Sequence, residues 1–410
     1  MPKVLLFSRQ PLTSRPLQEW LERPAEDIVL ITTPQAVVGA ETVLASCFPQ
    51  HRLVDDYHSW STEQVAEEAA REHGVDLVAS TSESDVLRAA RLRARLGLPG
   101  QDVASATAYR DKVVMKQLAR AAGIRVPAFT AVDSPQDLLG FVEAEGLPAV
   151  VKPRSGAGAE GVAILRTAAD VTAFLGRGRT SDVPYLPGQW MAESYVTGEF
   201  FHVDGIMHEG RVVCAWPGQY SGGLAERIRD QLHVGSVLLA PEDERTPVML
   251  RMADDVVASL PGAELPLAFH LEAWIGLDGV PVLCEIASRA GGSLIGEQFE
   301  RAFGVHLARE GLRAQCGLPL GRSTRPAAPS VAVGYVLLPP GRGTFVPPAL
   351  PCPVPGTEVV LLREPGAQCK GVEHVGDGVA SVLVQAETAE AVRKLLAEAM
   401  GWWHDNTVWR

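Results

Sequence analysis

Two glutamates set the strongest constraint on the architecture. The apolar run Phe269–Leu277 carries Glu272, meets Asp278-Gly279, and returns as Val280–Ile286 carrying Glu285. Asp-Gly between two apolar runs is a strong hairpin signal, because a two-residue turn of this kind needs positive φ at both positions. The spacing predicts that Leu277 pairs with Val280, Trp274 with Leu283 and Glu272 with Glu285. Directly opposed residues on one face hold their Cβ atoms about 4.5–5.5 Å apart, where two carboxylates repel. The pair calls for a cation, and a hard divalent ion such as Mg²⁺, held by one or two carboxylates plus phosphate oxygens, answers it. A solvent-facing pair neutralised by Arg289 is the alternative. Alternation puts His270, Glu272, Glu285, Ala287 and Arg289 on one face and the Cys284 side chain on the other.

A chain of 410 residues is too long for one ordinary core and implies two or three domains. A net charge of −12 argues against non-specific nucleic-acid binding. No apolar run approaches the roughly 20 residues that span a bilayer, and Met1–Phe7 is a short strand rather than a signal peptide. A cytoplasmic protein is expected, with no membrane partner. The six scattered cysteines form no Cys-x-x-Cys pair and read as core or loop residues.

Residues 1–101 alternate short buried strands (Val4–Phe7, Ile28–Ile31, Leu77–Ala79) with helices at Thr62–Glu72 and Ser84–Leu96, an open α/β layer. A second unit, 102–325, opens with a helix over Asp111–Ala122. A strand over Val126–Val132, a helix from Ser134 to Gly146 and the strand Ala149–Lys152 follow. Next come the glycine loop Ser155–Gly161, a strand at Val162–Leu165, paired strands over 190–219 around Glu209-Gly210, and a helix at Thr246–Ser259. Composition turns to Pro, Ala, Arg and Ser near 317–329. Residues 326–410 read as a small α+β unit, with strands Val331–Leu338, Glu358–Arg363 and Val379–Gln385 and a helix Ala389–Met400. The aromatic tail Trp402–Trp409 is expected to pack against the body.

Lysine is scarce, six of 37 basic residues, so each one is informative. Lys152 ends a strand and precedes the glycine loop, whose bare backbone can close over phosphate oxygens. An ammonium on a flexible stem suits a phosphate there better than a planar guanidinium. Lys112 is placed for the same role, with an exposed helix charge as the other reading. In Glu193–Glu199, a strand followed by a turn at Gly198, strand-edge backbone at Glu193 and Val196 could hold a base and Glu199 a ribose hydroxyl; a structural strand with solvated acids is the alternative. Arg289 precedes Ala290-Gly-Gly-Ser, where Gly291, Gly292, Ser293 and a fork of donors can hold a carboxylate or acyl phosphate.

In order, Asp111-Lys112, Ala149-Val-Val-Lys-Pro with its loop, Glu193-Ser-Tyr-Val-Thr-Gly-Glu, Leu271-Glu272 and Glu285-Ile-Ala-Ser-Arg-Ala-Gly-Gly resemble the ATP-grasp superfamily, in the branch that includes biotin carboxylase. The likeness covers about residues 1–320. It implies an ATP-grasp fold of mixed α/β and α+β class: a pre-ATP-grasp domain at 1–101, an ATP-grasp domain at 102–325 with a lid over about 126–193, and the small domain at 326–410. It further implies ATP as cofactor, with Lys112, Lys152, Ser155, Gly156, Gly158 and Gly161 about the phosphates, Glu193, Tyr195 and Val196 about the adenine, and Glu199 on the ribose. By the same likeness Glu272 and Glu285 would hold Mg²⁺, with Mn²⁺ as a substitute. Many relatives carry Asn two residues after the second glutamate; this chain has Ala287, so metal binding rests on the two glutamates. Gly334–Gly343 is similar to the C-terminal domain of L-amino acid ligases, and a homodimer through the first domain is common in the branch.

The resemblance implies a carboxylate-amine ligase: ATP phosphorylates an amino-acid or related carboxylate, and an amine or second amino acid attacks the acyl phosphate. Arg289, His233 and His270 are the candidate catalytic residues. His233 stands at the end of Gln219–Gly235, a Gly-, Ser- and Arg-rich stretch that reads as a substrate loop; a structural histidine is the other reading of each. The rivals are a bicarbonate-dependent carboxylase and a nucleotide-binding protein without turnover.

Overall fold

The computed structural model describes residues 1–176, 188–221, 232–322, 324–372 and 376–410. Of the glycine-rich segment Gln219–Gly235, residues 222–231 lie outside that set, as do 177–187 within 126–193.

The three apolar runs of the first hundred residues and a polar edge strand that the sequence pattern does not announce form a parallel sheet, β1 (Val4–Phe7), β2 (Ile28–Thr32), β3 (Gln50–Leu53) and β4 (Leu77–Ser80), in the order β3-β2-β1-β4. Strands β1 and β2 are buried along their length because both faces are covered: Leu17, Leu21 and Phe48 pack on one side, Ala66, Ala69, Ala89 and Leu92 on the other. A single 3₁₀ turn, Glu83–Asp85, follows β4 and leads into helix Val86–Leu96. Glu83 therefore sits outside the carboxyl ends of parallel strands, the position where open α/β sheets present their functional groups.

An antiparallel sheet comes next, β5 (Phe129–Val132), β6 (Ala149–Pro153), β7 (Ala163–Leu165) and β8 (Trp190–Ser194), in the order β5-β8-β6-β7. Helix Pro135–Glu145 packs Leu138 and Phe141 onto it, and its start is fixed by a reciprocal capping box between Ser134 and Asp137. The glycine loop is the connection from β6 to β7.

The largest sheet has eight strands. β9 (Glu199–His208) and β10 (Arg211–Tyr220) form a hairpin about Glu209 and Gly210, both left-handed; β11 (Val234–Leu238), β12 (Leu267–Ile275), β13 (Pro281–Ala287) and β14 (Ala332–Leu338) follow. With β15 (Arg342–Val346), β16 (Thr357–Leu361), β17 (Gln368–Lys370), β18 (Ala380–Ala386) and β19 (Val408–Trp409) named, the order is β13-β12-β9-β10-β11-β14-β18-β16, and β17-β15-β19 form a small sheet of their own. The sheet thus runs through the Pro- and Ala-rich stretch without a break, because β14 pairs with β11 in register Ser236 to Tyr335. Helix Arg245–Ser259 covers one face through Met249, Met252 and Val256, and helix Ile295–Phe303 the other through Phe299 and Phe303. The last helix, Ala389–Asn406, outruns the expected Met400. Trp403 buries on it, and Trp409 returns on β19 to stack on Phe345 at 5.3 Å, so the tail packs on the body. No helix among the described residues is long and apolar enough to cross a membrane.

The hairpin register departs from expectation at its tip and agrees at its root. Glu272 faces Glu285, but Trp274 faces Val282 and Ala273 faces Leu283, with a bulge between Glu272 and Ala273. The turn spans 276–280 rather than two residues; Gly279 takes positive φ and Asp278 does not, and Leu277 is fully exposed. Cys284 is the extra residue. A bulge bends its strand and re-aims side chains, so Cys284, expected on the opposite face, faces the same cavity as Glu285.

Candidate active site

A cavity of about 410 Å³ lies between the β5–β8 sheet and the hairpin sheet. Lys112, Lys152, Gly156, Gly158, Glu193, Tyr195, Val196, His270, Glu272, Glu285, Arg289, Gly292 and Ser293 line it. Ser155, Gly161, Glu199, Gly291 and His233 do not, although Gly198 and Val234, neighbours of two of them, do. Glu199 is exposed and holds Gln219 and Arg245, each at 2.8 Å.

Asp111 caps helix Lys112–Ala121 by accepting from the amides of Val113 and Val114, which fixes where Lys112 emerges. Lys112 Nζ then reaches Glu285 Oε2 at 3.2 Å and the Gly156 carbonyl at 2.8 Å. One helical turn further on, on the same face, stands Lys116, which is fully buried. It donates to the carbonyls of Leu283 and Cys284 at 3.1 and 2.7 Å, the two backbone groups at the bulge, and pairs with Glu193 at 3.2 Å. Lys152 pairs with the other Glu193 oxygen at 2.6 Å. Burial alone would raise the Glu193 pKa; Lys116 and Lys152 bring it below the usual glutamate range. Burial pulls Lys116 below the usual lysine range, with Glu193 acting against it. Glu193 is therefore a carboxylate that positions two ammonium groups. Its backbone is not at a sheet edge, since Glu193 pairs with Phe129 on one side and Val150 on the other; the chain leaves the sheet only after Ser194.

The two carboxylates of the hairpin meet different partners. Glu272 accepts from His270 Nε2 at 3.3 Å, and Glu285 meets Lys112. Burial works to raise the pKa of Glu285, but Lys112 and Lys152 keep it below the ordinary glutamate value. The donor set is chemically suited to Mg²⁺: two hard carboxylates on adjacent strands, both open to a cavity with room for phosphate oxygens. Arg289, at the far end of β13, is turned toward Glu83, with Nε to Oε2 at 2.8 Å. Arg110 reaches the other Glu83 oxygen at 2.6 Å and also donates to the carbonyl of Ser155. The first sheet thus contributes a carboxylate that aims an arginine of the third and, through Arg110, steadies the glycine loop.

Behind His270 lies a buried relay. Asp204 Oδ1 accepts from His270 Nδ1 at 2.9 Å and from the Gly291 amide at 3.2 Å; its Oδ2 accepts from His202 Nδ1 at 2.6 Å, and His202 Nε2 accepts from Ser236 at 2.6 Å. Burial alone would lower the His270 pKa, but Asp204 and Glu272 raise it to about 10, so the ring carries a charge at neutral pH. The histidine–carboxylate contacts are hydrogen bonds already closed at 2.6 and 2.9 Å. An ion ligated at about 2.0–2.2 Å from each atom would need them farther apart.

Lys116, Glu83, Arg110, Asp204, His202 and two further residues of the cavity wall, Tyr220 and Tyr335, are absent from the candidates that motifs and spacing pick out. Lys116 had a signal, its four-residue spacing from Lys112 on one helix face. Asp204 and His202 had a weaker one, a two-residue alternation on a strand. Glu83 and Tyr335 had none, because tertiary pairing alone brings them here.

No protein-family model matches the chain. The chain has the ATP-grasp fold, and two of the relatives it matches are named as ligases, an L-amino acid ligase and a D-alanine–D-alanine ligase. The L-arginine-specific L-amino acid ligase of Bacillus subtilis is 26% identical over 271 residues, 66% of this chain and 64% of that protein, so the match spans less than two thirds of the relative's own length. The crystal structure of an L-amino acid ligase from Bacillus licheniformis superposes with a TM-score of 0.73 at 18% identity, covering 100% of this chain and 99% of that one. The biotin carboxylase domain of the Hydrogenobacter thermophilus 2-oxoglutarate carboxylase, solved with MgADP and bicarbonate, gives 0.72 at 13% identity, covering 98% and 90%.

Proposed function

We propose that the chain is an ATP-dependent carboxylate-amine ligase that joins an amino acid, or a related carboxylate, to an amine or second amino acid. The observation that carries the reading is the cross-strand pair Glu272 and Glu285 facing Lys112 and Lys152 in one cavity. Two acids beside two ammonium groups suit a nucleotide whose phosphates bind the lysines and whose metal binds the acids. Similarity to an L-arginine-specific L-amino acid ligase favours an amino-acid substrate over bicarbonate.

In this reading the base lies against Val150, Ile164, Tyr195 and Val196, and the backbone leaving β8 orients it. Lys112 and Lys152, the latter held by Glu193, take the phosphates while the Gly156–Gly158 backbone closes over them. Mg²⁺ on Glu272 and Glu285 would neutralise and orient phosphate oxygens. A carboxylate oxygen of the substrate attacks the γ-phosphorus and ADP leaves. The amine nitrogen then attacks the acyl carbon, phosphate leaves, and the nitrogen gives up a proton. Arg289, aimed by Glu83, offsets the charge on the reacting carboxylate or phosphate. His270, charged and held by Asp204, does the same from the neighbouring strand.

The test is an ADP-release screen over pairs of amino acids with product mass determined. A product mass equal to the two substrates less one water supports the reading. Tight Mg·ATP binding with no ADP release across the screen defeats it and favours a nucleotide-binding role.

A further inference from the structure

Tyr335 is 1% exposed, yet its hydroxyl has no hydrogen-bond partner among the described residues. Buried hydroxyls are nearly always paired, and one left unpaired is a cost that a bound ligand can recover. The Ser293 hydroxyl stands close enough to bear on the phenol, but the two do not reach hydrogen-bond geometry. Ser293 itself has φ of 51°, a left-handed conformation uncommon outside glycine. An unsatisfied polar atom and a strained residue thus meet at one end of the cavity, both on its wall.

Packing does not account for the hydroxyl. The Tyr335 ring belongs to the apolar cluster with Ile295 and Phe299, where phenylalanine would pack as well. Burial, and then the carboxylate of Asp204, push the phenol far above its ordinary range, so the group is a neutral O–H in an acidic setting. A neutral hydroxyl with unused lone pairs can accept from a cationic donor, while the carboxylate to be activated belongs at Arg289.

We infer that Tyr335 is a specificity residue whose hydroxyl accepts a hydrogen bond from the α-ammonium group of an amino-acid substrate, in the arm of the cavity bounded by His270, Glu272 and Ser293. The inference rests on the ligase reading above. It also gives the C-terminal strands a part in the site, since Tyr335 stands on β14.

Tyr335→Phe tests it. Without substrate, the thermal midpoint of the variant equals or exceeds that of the parent chain, because the change removes an unpartnered polar atom. Its affinity for Mg·ADP by calorimetry is unchanged. For an amino acid that the parent accepts, KM rises about tenfold or more, equivalent to about 1.4 kcal/mol. The parent discriminates against the des-amino analogue of that substrate, and the variant loses the discrimination. A lowered midpoint, an unaltered KM or retained discrimination overturns the inference. If the parent releases no ADP with any amino acid, the ligase reading fails by itself. The inference is then judged by binding alone: an amino-acid-induced rise in the parent's midpoint that disappears in Tyr335→Phe supports it, and no rise in the parent overturns it.

Discussion

The Nε–H of Arg289 donates to Glu83 across 2.8 Å, joining residues 206 positions apart and tying the end of the glutamate hairpin to the carboxyl end of β4. Burial alone would raise the Glu83 pKa, but Arg289, Arg110 and Lys112 lower it to about 2. A folded-state value below the unfolded one means that the stabilisation is complete above about pH 4.5 and is lost as pH falls through about 2. Glu83→Gln should remove that dependence, about 3 kcal/mol across the interval. Denaturant titrations of both chains from about pH 6 to pH 2 check it; equal acid sensitivity would show that Glu83 is not the group responsible.

Glu272→Gln and Glu285→Gln should each reduce ADP release on the order of 100-fold or more. Binding of metal-free ADP should survive, since the lysines and the adenine wall are untouched. Calorimetry with and without Mg²⁺ separates the two effects, and a variant that retains the full Mg²⁺ enhancement removes that glutamate from the metal site.

Lys116→Met leaves Glu193 short of one of its two cations and frees the carbonyls of Leu283 and Cys284. Breaking a buried ion pair by removing one partner costs about 3–5 kcal/mol. The double variant Lys116→Met/Glu193→Gln should recover part of that loss, which a thermodynamic cycle measures as a coupling. Strict additivity of the two single changes would mean that the pair is not energetically linked.

Gly291→Ala would bring a Cβ to 2.6 Å from both Asp204 Oδ1 and Ile295 Cδ1 and to 3.0 Å from His270 Nδ1. Something in the relay must move, at a cost of about 1–3 kcal/mol. The expected result is a lower thermal midpoint together with weaker protection of the residue-291 amide from exchange. Unchanged exchange would mean that the hydrogen bond to Asp204 survives the added methyl.

Three of the four parallel strands of the first sheet, the helix starting at Lys112 and the opposition of Glu272 to Glu285 were legible in the sequence, because apolar runs, an Asp cap and cross-strand spacing are local signals, whereas the polar strand Gln50–Leu53 carries none. The two-residue turn was not realised: Asp278-Gly279 supplies its glycine to a wider turn, and the bulge absorbs the difference. Cys284 was misplaced for the same reason, since alternation holds only while the ladder is unbroken. Glu193 was expected to serve the adenine from a sheet edge, and two-sided pairing of β8 gives its carboxylate to two lysines instead. Glu83 and Tyr335 reach the cavity from the first sheet and the C-terminal strands, across separations that no periodicity encodes.

The Lys116 clamp on the bulged backbone has a consequence for how such a chain can vary. The alignment of the two glutamates is fixed from beneath, by an ammonium gripping Leu283 and Cys284, and not from the tip. Lengthening or shortening the solvent-exposed 276–280 segment should disturb only the outermost rungs and leave the acidic pair in step. That freedom would let the loop diverge among descendants of this sequence while the chemistry below it stays put.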